Sequence, residues 1–176
     1  MNSLKLKEPI FLCGMMGSGK TSVGKILAKK CDVQFQDLDS LIEKAENMKI
    51  SEIFETEGEP YFREVEQKLL IQKSQQIEGI LSLGGGSLQN QMIVDHLKVL
   101  GWLIYLKEPE HRLVERLENS KKRPMLKNTD VNNKISSLLK ERSKFYEQAH
   151  ITIQRDGKNK EETADEILKK LKMYER

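Results

Sequence analysis

The chain has only two cysteines, four prolines and one tryptophan in 176 residues, and aromatics make up 6% of it. So little cysteine excludes a disulfide-stapled scaffold. Cys13 and Cys31 fall near opposite ends of a predicted first helix, whose rise of ~1.5 Å per residue carries them beyond disulfide reach. Both read as reduced thiols of a cytoplasmic protein. No apolar run approaches the ~18 residues of a membrane span, so no membrane partner is expected. The short apolar stretch behind the N-terminal lysines is expected to be a core strand, not a signal peptide. Lys+Arg 30 against Asp+Glu 27 leaves a net charge of +3, too balanced to require a nucleic-acid partner. His96, His111 and His150 show no metal-ligand spacing. What remains is a soluble, helix-rich chain, and its length predicts one domain over 1–176.

Apolar runs alternate with helical patterns along the sequence. Strands are predicted at 10–13, 33–36, 79–83, 102–106 and 150–154. Between them the 3.6-residue period predicts helices at 40–47, 51–57, 59–76, 89–97 and 110–117, another from Val131, and an amphipathic one at the end. Strands separated by helices imply a parallel sheet covered on both faces, an α/β layered fold. The polar stretch 118–130 has no period and reads as a mobile loop.

The strongest local signal is Gly14-Met15-Met16-Gly17-Ser18-Gly19-Lys20-Thr21. It has the spacing of a phosphate-binding P-loop, with an apolar strand before it and a helical pattern after it. Glycines there let successive N–H groups curl around a β-phosphate, and the helix N-terminus adds its dipole. Gly17, Ser18, Gly19, Lys20, Thr21 and Ser22 are therefore candidate nucleotide ligands, with Lys20 reaching the β/γ-phosphates and Thr21 holding Mg²⁺. A nucleoside triphosphate is the predicted ligand.

Asp37 and Asp39 follow the second strand, two residues apart, at the strand ends where ligands collect in an open parallel sheet. One acid could support Mg²⁺ and the other could accept a hydroxyl proton; alternatively, Asp39 caps the helix that starts at Ser40. Gly84-Gly85-Gly86 is a tight turn or a place of close backbone approach to a ligand. Ser82 stands where many P-loop proteins carry a metal-side acid, which leaves Asp37 for that role. Arg142 sits in the middle of the apolar stripe Val131, Ile135, Leu138, Leu139, Phe145, Tyr146 and Ala149. A guanidinium there is either paired with an internal acid or faces a cleft that receives an anion. Arg63 lies one turn from Glu59 and Glu66, so a surface ion pair competes with a ligand role. Arg116 and Arg123 border and occupy the polar loop, where an arginine can close over a γ-phosphate and exclude water.

Taken in order, Gly14–Thr21, Asp37-x-Asp39, Ile53-Phe54, Glu57-Gly58-Glu59, Phe62-Arg63-x-x-Glu66, Ile80 to Gly86, Arg123-Pro124-Met125-Leu126 and Arg142…Tyr146 resemble the shikimate kinase family, without a large insertion. The resemblance implies a three-layer α/β/α P-loop kinase fold with a five-stranded parallel sheet. It places a lid at about 118–130 and substrate-binding helices at about 39–77. It implies ATP-dependent phosphorylation of the 3-hydroxyl of shikimate, with ATP and Mg²⁺ as cofactors, in a monomer. By the same resemblance Asp39 holds the substrate hydroxyls, as a base or as a positioning group only, and Asp37 supports Mg²⁺ through water. Arg63 and Arg142 grip the carboxylate, Gly84, Gly85 and Gly86 present backbone to substrate, and Phe54 and Phe62 wall the pocket. Arg123 reaches the phosphates from the lid, Arg116 lies near adenine, and Arg155 is a candidate in the adenine-contacting segment after Ile153. Rival readings are a gluconate or nucleoside-monophosphate kinase of the same fold, or a P-loop protein that binds ATP without catalysis.

Overall fold

The computed structural model describes residues 6–118 and 130–174. Five strands form one sheet: β1 (Ile10–Cys13), β2 (Gln34–Asp37), β3 (Gly79–Ser82), β4 (Trp102–Lys107) and β5 (Ile151–Gln154), in the order β2-β3-β1-β4-β5. Every pairing is parallel, and the register sets Leu12 beside both Ser82 and Ile104, and Asp37 beside Ser82. All four residues of β1 are buried, as expected for a central strand covered on both faces.

Alternation of side chains along β1 divides the interior in two. Phe11 and Cys13 face a core shared with Leu81, Leu103 and Tyr105, covered by α2 (Leu38–Glu46), α3 (Ile50–Thr56), α4 (Gly58–Ser74) and α5 (Gln91–Leu100). Ile10 and Leu12 face the other core with Ile80, Ile104 and Ile153, closed by α1 (Lys20–Cys31) and α8 (Lys160–Tyr174). Cys13 and Cys31 belong to different cores, both as free thiols. A third cluster joins Met15 and Met16 of the P-loop to Leu113 and Leu117 of α6 (Glu110–Glu118) and to Ile135 and Leu138 of α7 (Val131–Tyr146). The loop expected to meet phosphate therefore rests on apolar packing beneath it.

The predicted elements are all present, with small shifts at their ends. One shift corrects a site expectation. The second strand continues to Asp37, and α2 starts at Leu38 instead of Ser40. Asp37, not Asp39, is the N-cap, its carboxylate accepting from the Ser40 N–H at 3.3 Å. Asp39 sits in the first helical turn, so helix geometry and not strand alternation aims it. The expected lid, apart from its end residues 118 and 130, and Arg123 with it, lies outside the described residues. No helix among the described residues is long and apolar enough to cross a membrane.

Candidate active site

The P-loop turns sharply out of β1 and into α1. Gly14, Gly17 and Gly19 all have positive φ, a region that an L side chain rarely enters. Ser18 N–H donates to the Met15 carbonyl at 3.1 Å, and the Lys20 ammonium reaches back to the Gly14 and Met15 carbonyls at 2.8 and 3.0 Å. Lys20 is thus held over the loop, 7% exposed. Those two main-chain carbonyls are weaker competitors for an ammonium than a phosphate oxygen.

A cavity of ≈ 160 Å³ opens at this end of the sheet, lined by Gly17, Gly19, Lys20 and Thr21 on one side and by Asp37, Asp39, Ser82 and Gly85 on the other. Both acids of the Asp-x-Asp pair therefore face the phosphate loop, although they belong to different elements. The Thr21 hydroxyl donates to Asp37 at 2.6 Å. Those two groups are hard oxygen donors of the kind that Mg²⁺ takes, and Mg²⁺ completes its shell with phosphate oxygens and water. Among the described residues no cluster of three or more His, Cys, Asp or Glu could hold a metal alone.

The Gly84–Gly86 turn is where the remaining candidates meet. A Cβ on Gly85 would stand 2.9 Å from the Met16 amide nitrogen, so the turn lies directly against the P-loop backbone. A Cβ on Gly84 would lie 3.1 Å from an Asp39 carboxylate oxygen, and one on Gly86 would be 2.7 Å from the Arg63 guanidinium. The Gly85 carbonyl accepts from Arg142 Nη1 at 3.0 Å and also from the Tyr146 hydroxyl. Burial pushes the Tyr146 phenol well above its ordinary pKa of 10, so it stays protonated and keeps donating.

Arg142 is 7% exposed, and among the described residues no carboxylate pairs with it. The alternative of an internal acid partner does not hold there. Arg63 is different: it pairs with Glu66 at 2.6 Å and Glu59 at 3.2 Å, and it also borders Gly86. Ion pairing and a place at the site coexist. Burial pulls the Arg63 pKa down, yet the two glutamates outweigh it and the net shift is upward. Glu66 carries more structure than its sequence position announces. Buried at the base of the turn, it accepts from Ser87 at 2.7 Å and Gln89 at 3.2 Å as well as from Arg63. Phe54 and Phe62 pack 4.8 Å apart, and Arg63 lies 5.1 Å over the Phe62 ring, so the aromatic pair supports that arginine from below.

A family model described as shikimate kinase matches residues 16–172. The chain belongs to the shikimate kinase family. A shikimate kinase from Sulfurihydrogenibium sp. (strain YO3AOP1) is 42% identical over 163 residues, covering 93% of this chain and 97% of that protein. One from Thermodesulfovibrio yellowstonii is 38% identical, with 95% of each chain covered. The structure superimposes on the Acinetobacter baumannii shikimate kinase in complex with shikimate with a TM-score of 0.91, at 34% identity, over 95% of this chain and 94% of that one. A Sinorhizobium meliloti gluconokinase, 14% identical with a TM-score of 0.54, shares the fold alone.

Two arginines expected near the nucleotide hold the loop itself. Arg116, on α6, donates to the Gly17 carbonyl at 2.9 Å. Arg155, 4% exposed, donates to the Ser18 carbonyl at 2.5 Å. Its side chain is buried against the P-loop backbone. Glu108 joins both arginines and went unnoticed in the sequence. A lone glutamate after a strand and before Pro109 has no pattern that marks it as buried.

Proposed function

We propose that this shikimate kinase family member transfers the γ-phosphoryl group of ATP to the 3-hydroxyl of shikimate, giving shikimate 3-phosphate and ADP. The observation that carries the reading is the glycine turn. P-loop backbone, Asp39, Arg63 and Arg142 all close on three consecutive residues, so a triphosphate tail and a small anionic polyol would meet across one peptide segment.

In this reading Lys20 and the loop N–H groups hold the β- and γ-phosphates, and Thr21 and Asp37 would hold Mg²⁺ beside them. When bound, Mg²⁺ neutralises charge on the β- and γ-oxygens. Arg142, a buried cation with no described carboxylate beside it, receives the substrate carboxylate; a planar guanidinium suits that group because it can bind both oxygens. Arg63 assists from its seat on Gly86, with Glu66 fixing its orientation. Asp39 takes the acceptor hydroxyl and aims it at the γ-phosphorus. Phosphoryl transfer through a loose transition state depends mainly on alignment, so positioning by Asp39 accounts for most of its effect. Arg123 is proposed to cover the phosphates. We also infer a cytoplasmic location, on the support of two free buried thiols, and a monomer.

Calorimetry separates the roles. Arg142→Ala is expected to weaken shikimate binding about 10–100-fold, the worth of a charge-assisted pair, with MgADP affinity retained. Asp39→Asn is expected to lower kcat by about 10²-fold or more while MgADP still binds. Equal shikimate heats in wild type and Arg142→Ala would remove the carboxylate clamp, and full turnover by Asp39→Asn would remove the hydroxyl acceptor.

A further inference from the structure

Glu108 and Arg155 form a buried ion pair behind the phosphate loop, with side chains 1% and 5% exposed and 3.4 Å between Oε2 and Nη1. Arg155 spends its donors on fixed neighbours: Nη1 on the Ser18 carbonyl, Nε on the Thr163 hydroxyl at 3.3 Å and Nη2 on the Lys158 carbonyl at 3.3 Å. Its own N–H continues the sheet by donating to the Lys107 carbonyl at 2.9 Å. Glu108 Oε2 also accepts from Arg116 Nη1 at 2.8 Å, and Arg116 in turn donates to the Gly17 carbonyl. One carboxylate therefore organises two guanidiniums, and the guanidiniums hold two successive carbonyls of the P-loop.

That arrangement has a directional consequence. In a trans peptide the N–H points opposite the C=O. Drawing the Ser18 carbonyl back towards Arg155 turns the Gly19 N–H forward, to the side where Gly17 and Gly19 line the cavity. Gly19 has φ +86, and the Arg155 guanidinium occupies the space that a Cβ there would need.

A buried ion pair is weak ground for a stability role. Among the described residues Oε1 of Glu108 has no hydrogen-bond partner, and buried ion pairs are often matched or exceeded in stability by apolar replacements. We propose that Glu108 and Arg155 are positioning residues of the phosphate site: they set the Ser18–Gly19 peptide so that the loop is organised for a nucleotide β-phosphate before the nucleotide arrives. The proposal rests on the reading above only in that a nucleotide occupies the P-loop; it does not depend on the acceptor.

The test removes both charges together. In Glu108→Leu/Arg155→Leu, MgADP binding measured by calorimetry is expected to weaken about 10-fold, with an equal rise in KM for ATP. KM for shikimate is expected to change by less than about two-fold, and the melting temperature to stay within about 4 °C of wild type or to exceed it. Glu108→Gln, which keeps shape and weakens the hold on both arginines, is expected to lie between. MgADP affinity unchanged in the double variant overturns the proposal. So does a parallel loss of nucleotide affinity, shikimate affinity and melting temperature, which marks a purely structural pair. If the double variant does not fold, Glu108→Gln decides by the same comparison, and wild-type MgADP affinity in it overturns the proposal. A wild-type protein that binds MgADP but does not phosphorylate shikimate contradicts the acceptor assignment and leaves this test intact.

Discussion

Arg142 was legible as unusual from its place in an apolar stripe, because burying a guanidinium is costly without a partner. Its carbonyl partner was not legible, since the Gly85 carbonyl lies 57 residues away in sequence and only the fold brings it there. Two other buried groups carry predictions at this scale. His150 Nδ1 accepts from the Leu103 N–H at 3.1 Å, which requires the unprotonated nitrogen. Its pKa is held below the ordinary 6.5 by burial first and then by Lys98, with Glu8 opposing. The unfolded chain therefore binds a proton at higher pH than the folded one, and stability falls as pH drops below 7 towards the folded value. Thermal melts at pH 7.5 and 5.5 are expected to show a larger drop for wild type than for His150→Asn, whose amide oxygen can accept without titrating. An equal drop would place the pH sensitivity elsewhere. The Cys13 thiol is pushed up to about 12, mainly by burial and against the pull of Lys20, and Cys31 is also raised by burial. Neither should react with a thiol reagent at pH 8 until denaturant is added, because the thiolate is the reactive form.

The strands and helices could be located in the sequence because their periods differ, yet their ends depend on capping contacts between segments. Asp37 and Asp39 show the limit. Both were recognisable as acids near a P-loop, but the cap fell to Asp37, which also takes the Thr21 hydroxyl. The two functions of Asp37 can be separated. Asp37→Asn retains a good N-cap and loses the charge, so its melting temperature should stay close to wild type while more Mg²⁺ is needed for half-maximal activity. Asp37→Ala loses the cap as well and is expected to cost about 1 kcal/mol of stability. Identical stability in the two variants would show that the cap contributes nothing. The glycine turn also acts as a unit. A Cβ at position 85 would meet P-loop backbone, which cannot rotate away. Gly85→Ala is expected to fold and to lose about 10²-fold in kcat/KM, the cost of displacing reacting groups by about 1 Å. Near wild-type kinetics would mean that the turn and the loop move apart without consequence.

Across the whole molecule, parallel strand order sets where chemistry occurs. β1 lies between β3 and β4, so the P-loop, the Asp37 strand end and the glycine turn emerge at one rim, above two separate cores. The layered α/β class followed from alternating strand and helix patterns, and the five-stranded sheet from family resemblance. The network of Glu108, Arg116 and Arg155 was not legible, because it joins residues up to 137 positions apart through main-chain carbonyls, which leave no mark on side-chain identity. Fold alone does not choose the acceptor, as the 14%-identical gluconokinase shows. In the proposed reading the rim geometry makes the choice, with Arg142 for a carboxylate at one end and Asp39 for a hydroxyl at the other. Measuring ADP release with shikimate, gluconate, AMP or CMP as sole acceptor tests that choice most directly. Rapid ADP formation with shikimate and background rates with the others is the predicted result; background with shikimate, or a faster rate with any rival, would contradict it.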